Sequence, residues 1–549
     1  MSRRSEVTLS LLFLFLLLLP GLSSLGQSED AWQEWRGSNE HLGVAEGGLP
    51  DEGVLRWSYR TGDQVQSSAV FYQGTLLIGS DDAWLYCLDA RTGERVWRFK
   101  TGGSVQSTPL ILDDKAFFGA TDGFFSCLEL PDPSLENPEP AELWSYDCGQ
   151  PIVSSAHLAG DSLLLGCQDG SLYSLDIDGD LNWKREVGWE LWATPLVDEV
   201  GGKVYIGAIN GSFACLGLDS GEPLWWLDNP GDSEIYSSCC LHNGTVYLTT
   251  GFGQELLAIN ATDGSVQWRF NAGFDCYSTP SVKDGRVFFT SFEYIWCLPT
   301  QDPDGNGNLT ADEVLWQTPH HDEQGGSSPL LAGVQLFVGS DDHYLYCLDQ
   351  EDGTILWTFP TEGYVYSSPS LYDKAVYFGS NDGTVYCVGN RPPRLQVSLE
   401  LEKPEIGDGE RLPMIITVKD PNGSKLRDAS VDIVLSAGSF ELEEGNQRGA
   451  KTDAQGELMI VFLPPAVSSR STLEIRVTAE KQGLEPGSAV ALLVVTPGGG
   501  SGDGTEDVVN EAEARRPYYW LLGLIIAGDL ALVGVIVNQK DQEKGGKIP

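Results

Sequence analysis

One stretch of this 549-residue chain has the residue types and spacing of an ion-binding loop. The run from Asp302 to Glu313 reads DPDGNGNLTADE and fits D-x-[DN]-x-[DN]-G-x5-E at each defined position. In such a loop the side-chain oxygens of the first, third and fifth positions face the ion. Glycine at the sixth makes the sharp turn, the seventh offers its carbonyl, and the twelfth is a bidentate glutamate. Those roles fall on Asp302, Asp304, Asn306, Gly307, Asn308 and Glu313. Hard oxygen donors without His or Cys select calcium over transition metals. The flanks read as strands, not helices, so residues 302–313 are predicted to form a lone, structural calcium-binding loop inserted in a β-domain. A comparable insertion at Pro131–Glu142 lacks the pattern.

Sulfur and imidazole chemistry is less well organised. Six of the eleven cysteines, Cys87, Cys127, Cys215, Cys297, Cys347 and Cys387, fill one slot of a repeated phrase, where Ser174 and Ala258 stand in two other copies. A slot that accepts Cys, Ser or Ala is a small buried site. Cys148, Cys167 and Cys276 are singletons with no evident partner. Cys239 and Cys240 are adjacent in what reads as a strand, and strand geometry puts neighbouring Cβ atoms on opposite faces. The six histidines lack metalloprotease spacing, and no P-loop, dinucleotide fingerprint or nucleophile elbow stands in a suitable context. No catalytic residue is assigned, and a non-catalytic protein is expected.

The elements that must position these residues come from a repeat. Trp57, Trp97, Trp144, Trp183, Trp225, Trp268, Trp316 and Trp357 recur roughly every forty residues, a period that signals a repeat architecture. Each copy reads as a Trp-bearing strand, then a short strand ending in Ser-Ser-Pro or a variant (Ser107-Thr108-Pro109, Ser367-Ser368-Pro369), then two more strands. Those two are joined by Asp-Gly or Asn-Gly turns such as Asp122-Gly123 and Asn210-Gly211, the strongest short hairpin signal. Four short antiparallel strands per unit describe a propeller blade. The last copy lacks a Trp strand and the first begins with a spare one, Val54–Tyr59, so the N-terminal strand is predicted to close an eight-bladed ring. Because the Ser/Thr rows recur in every blade, a packing role is favoured over a channel lining.

Turns such as Leu88–Trp97 (LDARTGERVW) and Leu348–Trp357 (LDQEDGTILW), with Trp32–Gly37 (WQEWRG) near the start, resemble the pyrroloquinoline-quinone (PQQ)-like repeat. The resemblance covers about residues 31–390. It implies that the turn glycine packs under the Trp of a neighbouring blade and locks blades together. The repeat is shared by quinoprotein dehydrogenases, which hold PQQ beneath a vicinal disulfide, and by the non-catalytic outer-membrane assembly lipoprotein of the propeller type. Cys239-Cys240 invites the first comparison, but the dehydrogenases' acidic base and quinone-site calcium ligands find no matching positions here. Fold likeness alone does not choose between the two.

The full expectation is an all-β ectodomain: an eight-bladed β-propeller (27–392) followed by an Ig-like β-sandwich (394–496) and one transmembrane helix. Residues 1–26 read as a signal peptide, with Arg3-Arg4 before the apolar run Leu11–Leu19. Period-two alternation in 394–496, with turns at Asp420–Gly423 and Asp453–Gly456, resembles bacterial Ig-like (Big) domains. Residues 497–516 read as a flexible acidic stalk, 517–538 as a transmembrane helix carrying Asp529 mid-span, and 539–549 as a short cytoplasmic tail. The predicted protein is single-pass, type I, in the cell membrane, with its ectodomain extracellular or periplasmic.

The formal charge of −45, from 79 acids and 34 bases, excludes a nucleic-acid partner, which needs a basic footprint. The expected work is that of a scaffold or receptor binding proteins or cell-envelope polymers. Alternatives are a PQQ-dependent dehydrogenase at the outer surface, and an envelope protein-assembly factor of the propeller lipoprotein type.

Overall fold

The computed structural model describes residues 35–497 except 38–39, 46–47, 136, 229, 231–232, 321–325, 392–393, 441–446 and 482–483. The predicted signal peptide, most of the acidic stalk, the transmembrane helix with Asp529 and the tail lie outside the described residues. No helix among those described is long and apolar enough to cross a membrane. The chain divides into two compact units, Met1–Arg391 and Pro392–Pro549.

The described residues are all-β apart from two short 3-10 turns, Trp35–Gly37 and Ala311–Glu313. In the first unit, sheet one takes Val70–Tyr72, Thr75–Ser80, Trp84–Asp89 and Arg95–Lys100 in chain order, each antiparallel to the next. Seven more sheets repeat this four-strand plan, making a β-propeller. Sheet eight consists of Ser370–Tyr372, Ala375–Gly379, Thr384–Gly389 and, from the other end of the unit, Val54–Arg60, which pairs antiparallel with Thr384–Gly389. The N-terminal strand therefore shuts the ring, as its unmatched tryptophan requires, and leaves no long open edge.

Register explains the small slot. Cys87 stands opposite Trp97, Cys127 opposite Trp144, Ser174 opposite Trp183, Ala258 opposite Trp268 and Cys387 opposite Trp57. A bulky residue there would compete with the indole for the same space. Six of the eight indoles, those of Trp57, Trp144, Trp183, Trp225, Trp268 and Trp316, then donate into the following sheet. Trp57 Nε1 donates to Ala90 O at 3.0 Å, Trp183 Nε1 to Leu218 O at 3.1 Å and Trp316 Nε1 to Gln350 O at 3.0 Å. The ring faces lie against the turn glycines Gly93, Gly221 and Gly353 respectively. This is the blade lock that the resemblance implies.

The Ser/Thr pairs do not end a strand as predicted. They sit in irregular backbone just before the short first strand of each sheet. The reason is a hydrogen-bonded circle. Ser68 N donates to Thr108 Oγ1, Thr108 N to Ser155 Oγ, Ser155 N to Thr194 Oγ1 and Thr194 N to Ser238 Oγ. Ser238 N then donates to Thr279 Oγ1, Thr279 N to Ser328 Oγ, Ser328 N to Ser368 Oγ, and Ser368 N back to Ser68 Oγ at 3.1 Å. Each hydroxyl takes up an amide that a ladder partner would otherwise satisfy, and eight such bonds join sheet to sheet around the axis.

The second unit has two β-sheets over one core. One contains Gln396–Leu401, Leu412–Lys419, Glu457–Leu463 and Ser439–Phe440. The other contains Glu405–Gly407, Leu484–Thr496, Ser471–Lys481, Ser430–Leu435 and Gln447–Lys451. Met414, Ile416, Ile433, Phe462, Ile475 and Val477 fill the space between them.

Candidate functional site

Three places in the propeller unit carry side chains beyond those needed for packing. The first is the Asp302–Glu313 loop, between strands Tyr294–Pro299 and Trp316–Pro319 of sheet six. It returns along the outer edge of sheet five, where Asn308–Leu309 pairs in parallel with Val266–Asn271, placing Asn308 opposite Arg269 and Leu309 opposite Phe270. Arg269 N donates to Gly307 O at 3.2 Å, and Leu309 is buried among Trp268, Phe270 and Trp296. Carboxylate oxygens of Asp302, Asp304 and Glu313 lie within 4.8 Å of one another. Gly307 N donates to Asp302 Oδ2 at 2.6 Å and Gly305 N to Asp302 Oδ1 at 3.0 Å; these amides hold the Asp302 carboxyl below its ordinary range. Gly307 takes φ of +84°, which its position in the motif requires. Asn306 Nδ2 donates to Asp304 Oδ2 at 2.7 Å, and its Oδ1 accepts from Asn308 N at 2.8 Å. The three acids are thus brought together, and the two asparagines brace them.

The second place was not legible in the sequence. The residue just before the Ser/Thr pair changes character around the ring: Gln66, Gln106 and Val153 in sheets one to three, Trp192, Tyr236 and Tyr277 in sheets four to six, then Gly326 and Tyr366. Trp192 packs on Tyr236 with ring centroids 5.9 Å apart, Tyr236 on Tyr277 at 5.4 Å, and Tyr277 touches Phe252 at 6.2 Å and Phe292 at 5.7 Å. Trp189 is 68% exposed, Phe252 60% and Trp192 41%. Trp192 Nε1 donates to Glu190 Oε2 at 2.9 Å, which fixes the indole upright. Glu234 and Asp275 lie among the same rings, and burial with these acids raises the Tyr277 phenol above its ordinary range. Comparing the one variable slot across copies would have exposed this rim.

The third place is built by the N-terminal segment of the propeller unit. Residues 35–37 and 40–45 lie against several sheets at once, with Val44–Ala45 pairing in parallel with Leu330–Ala332 and Glu40 O accepting from Leu241 N at 3.0 Å. Arg36 is 3% exposed and donates to His41 O at 3.1 Å, Pro280 O at 3.2 Å and Ser281 Oγ. His41 Nε2 meets His157 Nδ1 at 3.2 Å, and His41 Nδ1 meets Cys239 O at 3.2 Å. Burial keeps both imidazoles neutral, pushing His41 well below its ordinary value and His157 down to about 4.

The cysteines need one correction. Cys148 and Cys167 are not isolated singletons: they share one apolar cluster between sheets two and three, and Cys167 Sγ donates to Gln150 O at 3.4 Å, two residues from Cys148. The sequence concealed this because the two stand in different slots of neighbouring copies. Cys239 and Cys240 point apart, Cys239 toward Tyr205 and Ile235 and Cys240 toward Tyr247 and Trp268. That pair does not fit a vicinal disulfide roofing a quinone.

The family model described as outer membrane protein assembly factor BamB matches residues 45–270 and 306–390. BamB of Legionella pneumophila (strain Paris) is 25% identical over 232 residues, 42% of this chain and 49% of that protein, so the match spans about half of that relative. Among solved structures, BamB from Moraxella catarrhalis aligns with a TM-score of 0.50 at 18% identity, over 61% of this chain and 97% of that one. Quinohemoprotein alcohol dehydrogenase from Comamonas testosteroni aligns with a TM-score of 0.55 at 13% identity, over 66% and 81%. At these identities the structural neighbours establish the fold alone.

Proposed function

The chain belongs to the family of outer membrane protein assembly factor BamB, and from that premise we propose that it is a non-catalytic scaffold that binds partner polypeptides during assembly of the cell envelope. The observation that carries this reading is the aromatic rim. The exposed rings of Trp192 and Phe252 pack on Tyr236 and Tyr277, Tyr277 touches Phe292, and the exposed Trp189 stands three residues before Trp192. Exposed contiguous apolar surface edged by polar groups marks interaction sites, and Trp and Tyr dominate their energetics. Glu190, Glu234 and Asp275 border the rings, so the fitting partner is an apolar polypeptide segment flanked by Lys or Arg. The eight-bladed ring supplies a rigid platform. An Ig-like domain and an acidic stalk hold it off a membrane that residues 517–538 span, with the propeller on the outer or periplasmic side. Calcium bound by Asp302, Asp304, Asn306, the Asn308 carbonyl and Glu313 pins the inserted loop to sheet five and takes no part in partner binding.

The test uses fluorescence anisotropy with synthetic peptides that alternate aromatic and aliphatic residues between lysines. We expect binding that falls at least tenfold in the Trp189→Ala/Trp192→Ala double variant. Unchanged binding in that variant, or a stoichiometric PQQ adduct with alcohol-dependent dye reduction, overturns the reading.

A further inference from the structure

Eleven cysteines in a chain that begins with the features of an export signal raise the question of which, if any, are joined. Six are parted one to a sheet in the slot facing a tryptophan, Cys239 and Cys240 face different cores, and Cys276 Sγ donates to Phe274 O at 3.2 Å. Cys148 and Cys167 differ. Cys148 directly follows strand Ala141–Asp147 of sheet two, and Cys167 directly follows strand Ser162–Gly166 of sheet three. Both sulfurs lie in one apolar cluster with Phe125, Ile152 and Tyr173. The backbones run alongside each other there: Gln168 N donates to Pro151 O at 3.0 Å, and Cys167 Sγ reaches Gln150 O at 3.4 Å. We propose that Cys148 and Cys167 are a disulfide-forming pair that ties sheet two covalently to sheet three.

The surroundings favour this over a metal site. The nearest acid, Asp169, is already engaged by Lys184 Nζ at 2.7 Å, Tyr173 Oη at 2.8 Å and Ser171 N at 2.9 Å. The only cluster of three or more His, Cys, Asp or Glu ligand atoms among the described residues is the one at Asp302. The pair is also chemically asymmetric. Asp169 N donates to Cys167 Sγ at 3.5 Å and stabilises negative charge on that sulfur. Cys167 is therefore the attacking thiolate and Cys148 the resolving thiol.

The oxidant is a small disulfide such as glutathione disulfide. Cys167 thiolate attacks one of its sulfurs, forming a mixed disulfide and releasing one small thiolate, which takes up the Cys167 proton. Cys148 then loses its proton and attacks Cys167 Sγ, which releases the second small thiolate to take up that proton. Two protein S–H groups and one small disulfide become one protein disulfide and two small thiols, and the small disulfide gains the two electrons. Both sulfurs are buried, so the exchange occurs as the chain folds.

The experiment refolds the full chain in a glutathione redox buffer, alkylates it with N-ethylmaleimide in denaturant, and maps the peptides by mass spectrometry. The expected product has Cys148 and Cys167 in one linked peptide pair, with the other cysteines alkylated. The melting temperature of that product should drop by about 5 °C on reduction. Cys148→Ser should leave Cys167 alkylated. Alkylation of both Cys148 and Cys167 in the refolded wild-type chain, or linkage of either to a different cysteine, overturns the proposal. The wild-type map decides the matter even if the variant fails to fold, and it does so whether or not the rim binds polypeptides.

Discussion

Replacing Gly93 by alanine tests how the sheets are locked together. Two costs arise. Gly93 sits at φ +73°, so a side chain there carries the left-handed penalty of roughly 1–2 kcal/mol. Its new Cβ would also stand 2.5 Å from Trp57 Cε3 and 2.6 Å from Cδ2, well inside van der Waals contact. Trp57 is 8% exposed and tied by Nε1 to Ala90 O at 3.0 Å, so it has little room to retreat. Overpacking of this kind costs about 1–3 kcal/mol. Gly74 is the control, because it lies in the same sheet at φ +81° with nothing within 4 Å of an added Cβ. Backbone strain and the reduced entropy of the unfolded chain affect both variants alike and cancel in the difference. Urea unfolding followed by tryptophan fluorescence should find Gly93→Ala less stable than Gly74→Ala by about 1–3 kcal/mol. A difference below about 0.5 kcal/mol would sink the idea that the Trp–Gly contact is a close-packed lock.

Two further outcomes follow from the site geometry. Saturating calcium should raise the melting temperature of the wild-type chain, since a ligand at about 100 times its dissociation constant adds about 2.7 kcal/mol. That increment should vanish in Glu313→Gln; calorimetric scans with and without chelator that coincide for the wild type would disprove the calcium loop. Acid should weaken the propeller before the carboxylates titrate. Burial depresses His157 from 6.5 to about 4 and pushes His41 and His320 in the same direction. The folded state thus resists protonation, so this contribution is whole above pH 6.5 and is lost as pH falls toward about 4. His157→Gln should flatten the stability–pH slope in that window, and an unchanged slope would contradict the buried neutral pair.

The chain order of the sheets was legible because its signals are local. A tryptophan every forty residues or so, Asp-Gly hairpins and a spare strand at Val54 are enough to specify four-strand units and the strand that closes them. The Asp302–Glu313 motif was legible for the same reason: its ligands are neighbours in sequence, and the loop's own amides preset Asp302. The Ser-Ser-Pro segment was misread because its amides bond to hydroxyls of the next sheet rather than to a ladder partner, and that partner lies some forty residues away.

The sequence by itself determined the repeat, the small slot opposite each tryptophan and the gathering of Asp302, Asp304 and Glu313, since each depends on spacing within one unit. Tertiary structure alone decided the hydroxyl circle, the burial of Arg36 beside Ser281, the meeting of His41 with His157, the placing of Cys148 and Cys167 in one apolar cluster, and the gathering of Trp192, Tyr236 and Tyr277 into one surface. These contacts join residues from different sheets or from the N-terminal segment. Closing the ring around its axis creates them, and no pattern within one copy encodes that curvature.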